Sequence, residues 1–259
     1  TMFRRLFGSK EKEQVVPLSE RHIGDDTVVY SVGDIHGRVE LLERLHDKIC
    51  ADAAGRSETR KVLVYLGDYV DRGLESRQVI EHLLAQGGDD LERVFLKGNH
   101  EDAMLRFLDE TGIGRSWMGF GGDATLYSYG VDVFGAPPDG VDRMDHIQAQ
   151  LREKLPQEHI AFLESLTLYH QEGGFFFAHA GVKPGQPLHQ QDPNDLMWIR
   201  DEFLDSRSEF GKVIVHGHTI QPQPMVRPNR IGIDTGAFAS GVLTCLVLSG
   251  AEHSFIQTP

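Results

Sequence analysis

Thiols and positive charge are both scarce in this 259-residue chain, and each shortage removes a class of function. The two cysteines, Cys50 and Cys245, are too few for a disulfide framework, and they fit a reducing compartment. Lysine and arginine number 26 against 39 aspartates and glutamates, a formal net charge of -13. Nucleic acid binding rests on counterion release by Lys and Arg, so a field of this sign argues against duplex nucleic acid as a partner. No run approaches the ~20 apolar residues of a membrane span. The opening TMFRRLFGSKEKEQ also lacks the apolar core of about 7–15 residues that marks a secretory signal. Phe3, Leu6 and Phe7 beside Arg4 and Arg5 read as a frayed terminus rather than an interfacial anchor. The expectation is a soluble cytoplasmic protein with a flexible segment over residues 1–22 and one domain over 23–259. A chain of this length can bury roughly 70–75% of its unfolded surface and needs no staples.

What the sequence does contain is five short apolar runs, each ending in a glycine-flanked residue able to bind metal. They are VVYSVGDIHG (28–37), KVLVYLGDYVDRG (61–73), VFLKGNHE (94–101), FFFAHAG (175–181) and VIVHGHT (213–219). Between them lie helical periodicities. Val39, Leu42, Leu45, His46 and Ile49 share one face, as do Val79, Ile80, Leu83 and Leu84, and Met104, Leu105 and Leu108. Strand, loop, helix, strand recurs, which predicts an α/β fold with parallel strands whose ligands gather beyond the strands' carboxyl ends. Residues 111–156, dense in glycine and aromatics at WMGFGGDATLYSYG, read as a packed, partly helical insert that either walls the site or serves tight turns. Ile160, Leu163 and Leu166 mark a further helix behind it.

The motif residues are oxygen and nitrogen donors without a thiolate, which suits a pair of Mn, Fe or Zn class ions. Asp34 and His36 stand at i and i+2, so an extended backbone puts both on one side of the chain, ready for one ion. Asp68 closes the next strand, and its two oxygens can bridge two ions roughly 3.5–4 Å apart. Asn99, His179 and His218 complete the second ion. Two such ions lower the pKa of a shared water towards roughly 7, so a metal-bridging hydroxide is the expected nucleophile and a phosphate dianion the expected guest. His216 reads as packing or as support for a ligand, and Asp234 as support for a ligand or as a turn former.

Taken together, GDIHG, GDYVDRG, GNHE, HAG and HGHT resemble the motif set of the calcineurin-like metallophosphoesterase superfamily, in the bacterial branch of its phosphoprotein phosphatase (PPP) type. The resemblance runs from about residue 28 to 248. It implies a two-sheet β-sandwich flanked by helices, four layers in all, with a dimetal centre at one edge. It also implies Mn as the favoured ion, and it assigns Asp34, His36 and His218 to the first ion, Asn99 and His179 to the second, and Asp68 to both. His100 becomes the general acid, with Asp71 holding it cationic, and Arg72 and Arg200 clamp the phosphate. Trp198 reads as a core residue, while Arg115, Trp117 and Tyr127 are candidates to line a nucleotide groove. The activity expected first is a phosphatase for phosphoserine and phosphothreonine in proteins, with phosphotyrosine as a further substrate. A symmetrical dinucleoside tetraphosphatase is the alternative, and a non-catalytic scaffold the third reading.

Overall fold

The computed structural model describes residues 21–259, so most of the expected flexible segment lies outside the described residues. The last two residues of that segment are tied to the domain, since Arg21 pairs with Glu209 and the carbonyl of the exposed His22 accepts from the Gly174 amide.

Along the chain come β1 (Thr27–Val32), α1 (Val39–Ala54), β2 (Arg60–Tyr65), α2 (Ser76–Leu84), β3 (Leu91–Phe95) and α3 (Asn99–Asp109). The short helices α4 (Gly114–Trp117) and α5 (Asp123–Ser128) and the longer α6 (Arg143–Lys154) occupy the insert, and α7 (Gln157–Ser165) follows. The second half holds β4 (Tyr169–Glu172), β5 (Phe175–Ala178), α8 (Pro193–Trp198), α9 (Asp201–Leu204), β6 (Val213–His216), β7 (Met225–Arg227) and β8 (Arg230–Gly232). The chain finishes with α10 (Ala237–Ser240), β9 (Thr244–Ser249) and β10 (Glu252–Gln257).

Two five-stranded sheets result, ordered β10-β9-β1-β2-β3 and β4-β5-β6-β8-β7. β1, β2 and β3 are parallel, as are β5, β6 and β8, while β4, β7, β9 and β10 pair antiparallel at the margins. Alternation along the strands explains the layering. Val28, Tyr30 and Val32 of β1 face Leu42, Leu45, Ile49, Val79, Ile80, Met104 and Phe107 from α1 to α3. Val29, Val62 and Val64 face Phe175, Phe177, Val213 and Val215 of the other sheet. Phe176, Ala178 and Ile214 then meet Leu196, Ile199 and Phe203 on the outer side. Three apolar interfaces separate four layers, the expected α/β sandwich flanked by helices.

Some expected faces are narrower than the pattern implied. Leu84 is 41% exposed at the end of α2, and Leu105 and Ile160 are only partly buried. The insert sends Trp117, Leu126, Tyr129, Ile147 and Leu151 into the same core as α1 to α3. Among the described residues no helix is long and apolar enough to cross a membrane.

Candidate metal centre and active site

Each motif follows the carboxyl end of a parallel strand. Asp34 and His36 come after β1, Asp68 to Arg72 after β2, Asn99 and His100 after β3, His179 after β5 and His218 after β6. Because the parallel strands of both sheets end at the same edge of the sandwich, these loops converge.

Their backbone is strained. Among the described residues, the non-glycine residues with positive φ are His36, Asp68, Asp71, Arg72 and His218, with φ from 48° to 71°. Each such conformation costs on the order of 1–3 kcal/mol and persists where the surroundings impose it. The strain corrects one expectation. Asp34-Ile35-His36 is not an extended segment, because His36 stands in a left-handed turn at φ 48°.

Two glycines show how closely the loops approach. A Cβ on Gly98 would lie 2.1 Å from Asp68 Oδ1, and one on Gly217 would lie 2.0 Å from Asp34 Oδ1. Only a bare backbone fits beside either carboxylate.

Asp68 sits at the centre with its side chain 1% exposed. Its Oδ2 lies 3.5 Å from His36 Nε2 and its Oδ1 lies 3.4 Å from His179 Nε2, so its two oxygens face two separate groups. His179 Nε2 is also 3.0 Å from Asn99 Oδ1 and 3.2 Å from His218 Nδ1. The His218 ring thus lies beside His179, and His179 in turn lies beside Asn99. Asp34 accepts from the His218 amide at 3.0 Å, which ties the first loop to the last.

The donor set fits bound cations. His36 and His179 each donate Nδ1–H to a backbone carbonyl, of Val70 at 2.8 Å and Leu66 at 2.9 Å, and so turn a bare Nε2 lone pair inward. At 3.0 Å the His179 lone pair faces the Asn99 carbonyl oxygen, two acceptors with no donor between them. His36 Nε2, His218 Nε2 and Asp234 Oδ2 are buried without hydrogen-bond partners. Asp34, Asp68 and Asp234 are each no more than 2% exposed, and an unpaired buried carboxylate costs several kcal/mol. Cations bound here would offset the unpartnered lone pairs and the buried negative charge.

The acid–base states agree. Burial pushes His36 down to about 3 and His218 down to about 2, and it lowers His179, so all three imidazoles are neutral at neutral pH, the form in which an imidazole can bind a metal. Burial raises Asp34 strongly, helped by the charges of Asp234 and Asp68. Burial also acts to raise Asp68, but His179, His100, His36 and His218 together outweigh it and hold that carboxyl below its usual range.

Beside the cluster, His100 Nδ1 lies 2.7 Å from Asp71 Oδ2. Burial lowers the His100 pKa, but the Asp68 charge and the Asp71 hydrogen bond and charge win and bring it up to about 9. Arg72 Nη2 is 3.3 Å from His100 Nε2. When the ring is cationic both atoms are donors, a pair complementary to a phosphate oxygen. The Arg72 guanidinium also lies 4.8 Å from the Phe238 ring centroid. Arg200 is exposed, makes no ion pair with Asp201 or Glu202 among the described residues, and bears by charge alone on His179 and His218.

Several supporting residues escaped the sequence reading. Asp71 is fully buried and accepts from Trp117 Nε1 at 2.8 Å and Thr125 Oγ1 at 2.6 Å, both from the insert. Trp117 is thus a buried buttress of Asp71, not part of a groove wall, while Arg115 and Tyr127 are exposed. Glu101 accepts from the amides of Asp68, Tyr69, Val70 and Gly98 at 2.7–3.2 Å and so fixes the turn that carries Asp68. Its signal was present, because a glutamate three residues into a helix start is a capping residue. His216 packs edge-on against Phe203, and Asp234 accepts from the Gly236 amide at 2.9 Å while lying beside Asp34. Trp198 is 38% exposed, not a core residue.

Comparison with known proteins agrees with this site. A bis(5'-nucleosyl)-tetraphosphatase PrpE (asymmetrical) of Bacillus thuringiensis (strain Al Hakam) is 26% identical, with 83% of this chain and 88% of the relative covered. A protein of the same name from Halalkalibacterium halodurans is 24% identical over 88% of this chain and 92% of the relative. A solved chain provisionally assigned as a diadenosine tetraphosphatase superposes with TM-score 0.59 at 20% identity, covering 92% of this chain and 96% of that one. These relatives correct the expected activity. Their names specify asymmetrical nucleotide hydrolysis, neither phosphoprotein dephosphorylation nor the symmetrical alternative. Each of these activities calls for the same kind of metal core, so the five motifs carried no information on that choice. Residues 27–238 match calcineurin-like phosphoesterase, and with more than half of the sequence so matched, the chain belongs to that family.

Proposed function

We propose that this protein hydrolyses bis(5'-nucleosyl) tetraphosphates asymmetrically, to a nucleoside triphosphate and a nucleoside monophosphate, with two divalent ions of which Mn is the first candidate and Fe or Zn the others. The observation that carries the chemistry is Asp68, whose two oxygens face two buried donor groups while His100 and Arg72 stand alongside. The named relatives support the substrate and the mode of cleavage.

Asp34 and His36 with Asp68 would hold one ion, and Asn99, His179 and His218 with Asp68 would hold the other. When bound, the pair supplies an activated water and neutralises phosphate charge. Arg72 orients the phosphate under attack, and Arg200 adds positive charge at the rim. His100 gives its Nε2 proton to the departing phosphate oxygen, and Asp71, fixed by Trp117 and Thr125, keeps that proton in place. A cytoplasm that keeps Cys50 and Cys245 as thiols suits the free state of both.

Product analysis tests the proposal. With diadenosine tetraphosphate, equal amounts of ATP and AMP are expected, whereas two ADP per substrate would contradict the mode of cleavage. No turnover with Mn present would contradict the substrate.

A further inference from the structure

We propose that Phe120 and Trp198 form the base-binding rim of this site, stacking the nucleobase of a nucleotide whose phosphates reach Asp68, His100 and Arg72. The inference rests on the nucleotide reading above and goes beyond it by naming the residues that recognise the nucleoside.

Both side chains are large, apolar and open to solvent, Phe120 at 50% and Trp198 at 38%. Neither gains much from burial, yet they meet each other with ring centroids 6.4 Å apart and planes tilted by 63°. The Trp198 ring is also 6.4 Å from the His218 imidazole, so the pair borders the cluster of neutral histidines. An exposed aromatic pair near Arg72 and His100 offers a π-face to one end of a ligand and charge to the other. At this tilt a planar base lies face-on to one ring and edge-on to the other, an arrangement aromatic quadrupoles favour. Every nucleobase has such a face, so the rim selects for a base without choosing among bases.

Both rings are held by backbone bonded to the site. Phe120 precedes Gly121, whose carbonyl accepts from the Arg72 amide at 3.0 Å. Gly121 has φ +105°, and a Cβ there would lie 2.8 Å from Arg72 N, so the insert approaches this closely only through glycine. Trp198 ends α8, and the carbonyl of Leu196 in that helix accepts at 2.8 Å from the amide of Ala180, which follows His179. Backbone hydrogen bonds therefore tie the rim to the loops that carry Arg72 and His179. Arg200, two positions beyond Trp198, supplies positive charge for a polyphosphate leading from the metals to the rim.

The test separates this inference from the reading it rests on. Diadenosine tetraphosphate hydrolysis is measured for wild type, Phe120→Ala and Trp198→Ala, with inorganic tripolyphosphate, which has no base, as a competitive inhibitor. Each substitution is expected to raise KM on the order of tenfold to a hundredfold, the usual worth of a stacked base, and to leave the tripolyphosphate Ki unchanged. Unchanged KM values, or KM and Ki rising together, would overturn the rim. A second arm needs no turnover, since Trp117 is buried and AMP quenching of tryptophan fluorescence reports Trp198. The quench is expected with AMP and not with ribose 5-phosphate, and Phe120→Ala is expected to weaken it at least tenfold. Equal response to both probes would overturn the rim. If the enzyme fails to cleave the tetraphosphate and AMP still quenches as expected, the rim stands and the substrate reading falls.

Discussion

Asp68 and His100 divide the chemistry at the residue scale. Asp68 presents one oxygen to His36 and the other to His179, and its charge is also the largest influence raising the His100 pKa against burial. In the proposed chemistry the same carboxylate serves both the metals and the acid. Replacing His100 with Asn removes the proton but not the metals. A loss of about 10²–10⁴ in kcat is expected for a poor leaving group such as an alkyl phosphate, and a much smaller loss for p-nitrophenyl phosphate. Equal losses for the two substrates would remove His100 from the acid role. Asp71→Asn takes away a negative charge that raises the His100 pKa. The proton then leaves at lower pH, so the alkaline fall in kcat is expected to begin at lower pH than in wild type. An unmoved or upward-shifted limb in the pH–rate profile would contradict the dyad. Positive ions bound beside His100 would lower its pKa in both proteins, so the shift between them is the quantity to read.

At the scale of elements, the loops after β1, β2, β3, β5 and β6 carry the site, and these were the legible part of the sequence. A strongly apolar strand followed by glycine and a ligand residue leaves a local trace, so Asp34, His36, Asp68, Asn99, His179 and His218 were visible before the fold was. The edges of the sheets left none. β4 and β10 are exposed along much of their length, and their mixed polar sequences YHQE and EHSFIQ lack the alternation of a half-buried strand. Residues that act across long separations were also hidden. Trp117 and Thr125 meet Asp71 from 46 and 54 positions away, and nothing near them in sequence announces that bond. Trp198 read as core because a tryptophan usually is, yet it is 38% exposed where α8 ends, although its neighbours Leu196 and Met197 are buried. Glu101 shows what the turns require. Glu101→Gln puts an amide NH₂ where one carboxylate oxygen now accepts two backbone N–H groups, leaving those donors unpaired. A loss of about 1–3 kcal/mol per unpaired donor is expected in urea unfolding. An unchanged midpoint would show that the Asp68 turn holds its left-handed backbone without this support.

Across the whole molecule, the two sheets come together on an apolar interface, yet at one edge the fold buries Asp34, Asp68 and Asp234 beside histidines that are all neutral except His100. An acidic protein gains nothing from burying three more carboxylates unless cations join them, and this is the claim on which the proposed chemistry depends. Metal content measures it directly. Protein loaded with Mn²⁺ and then freed of excess by gel filtration is expected to carry two ions per chain, and Asp68→Asn, which removes the shared ligand, is expected to carry fewer than one. A wild-type chain that retains no Mn²⁺, Fe or Zn, or an Asp68→Asn chain that still retains two ions, would contradict it.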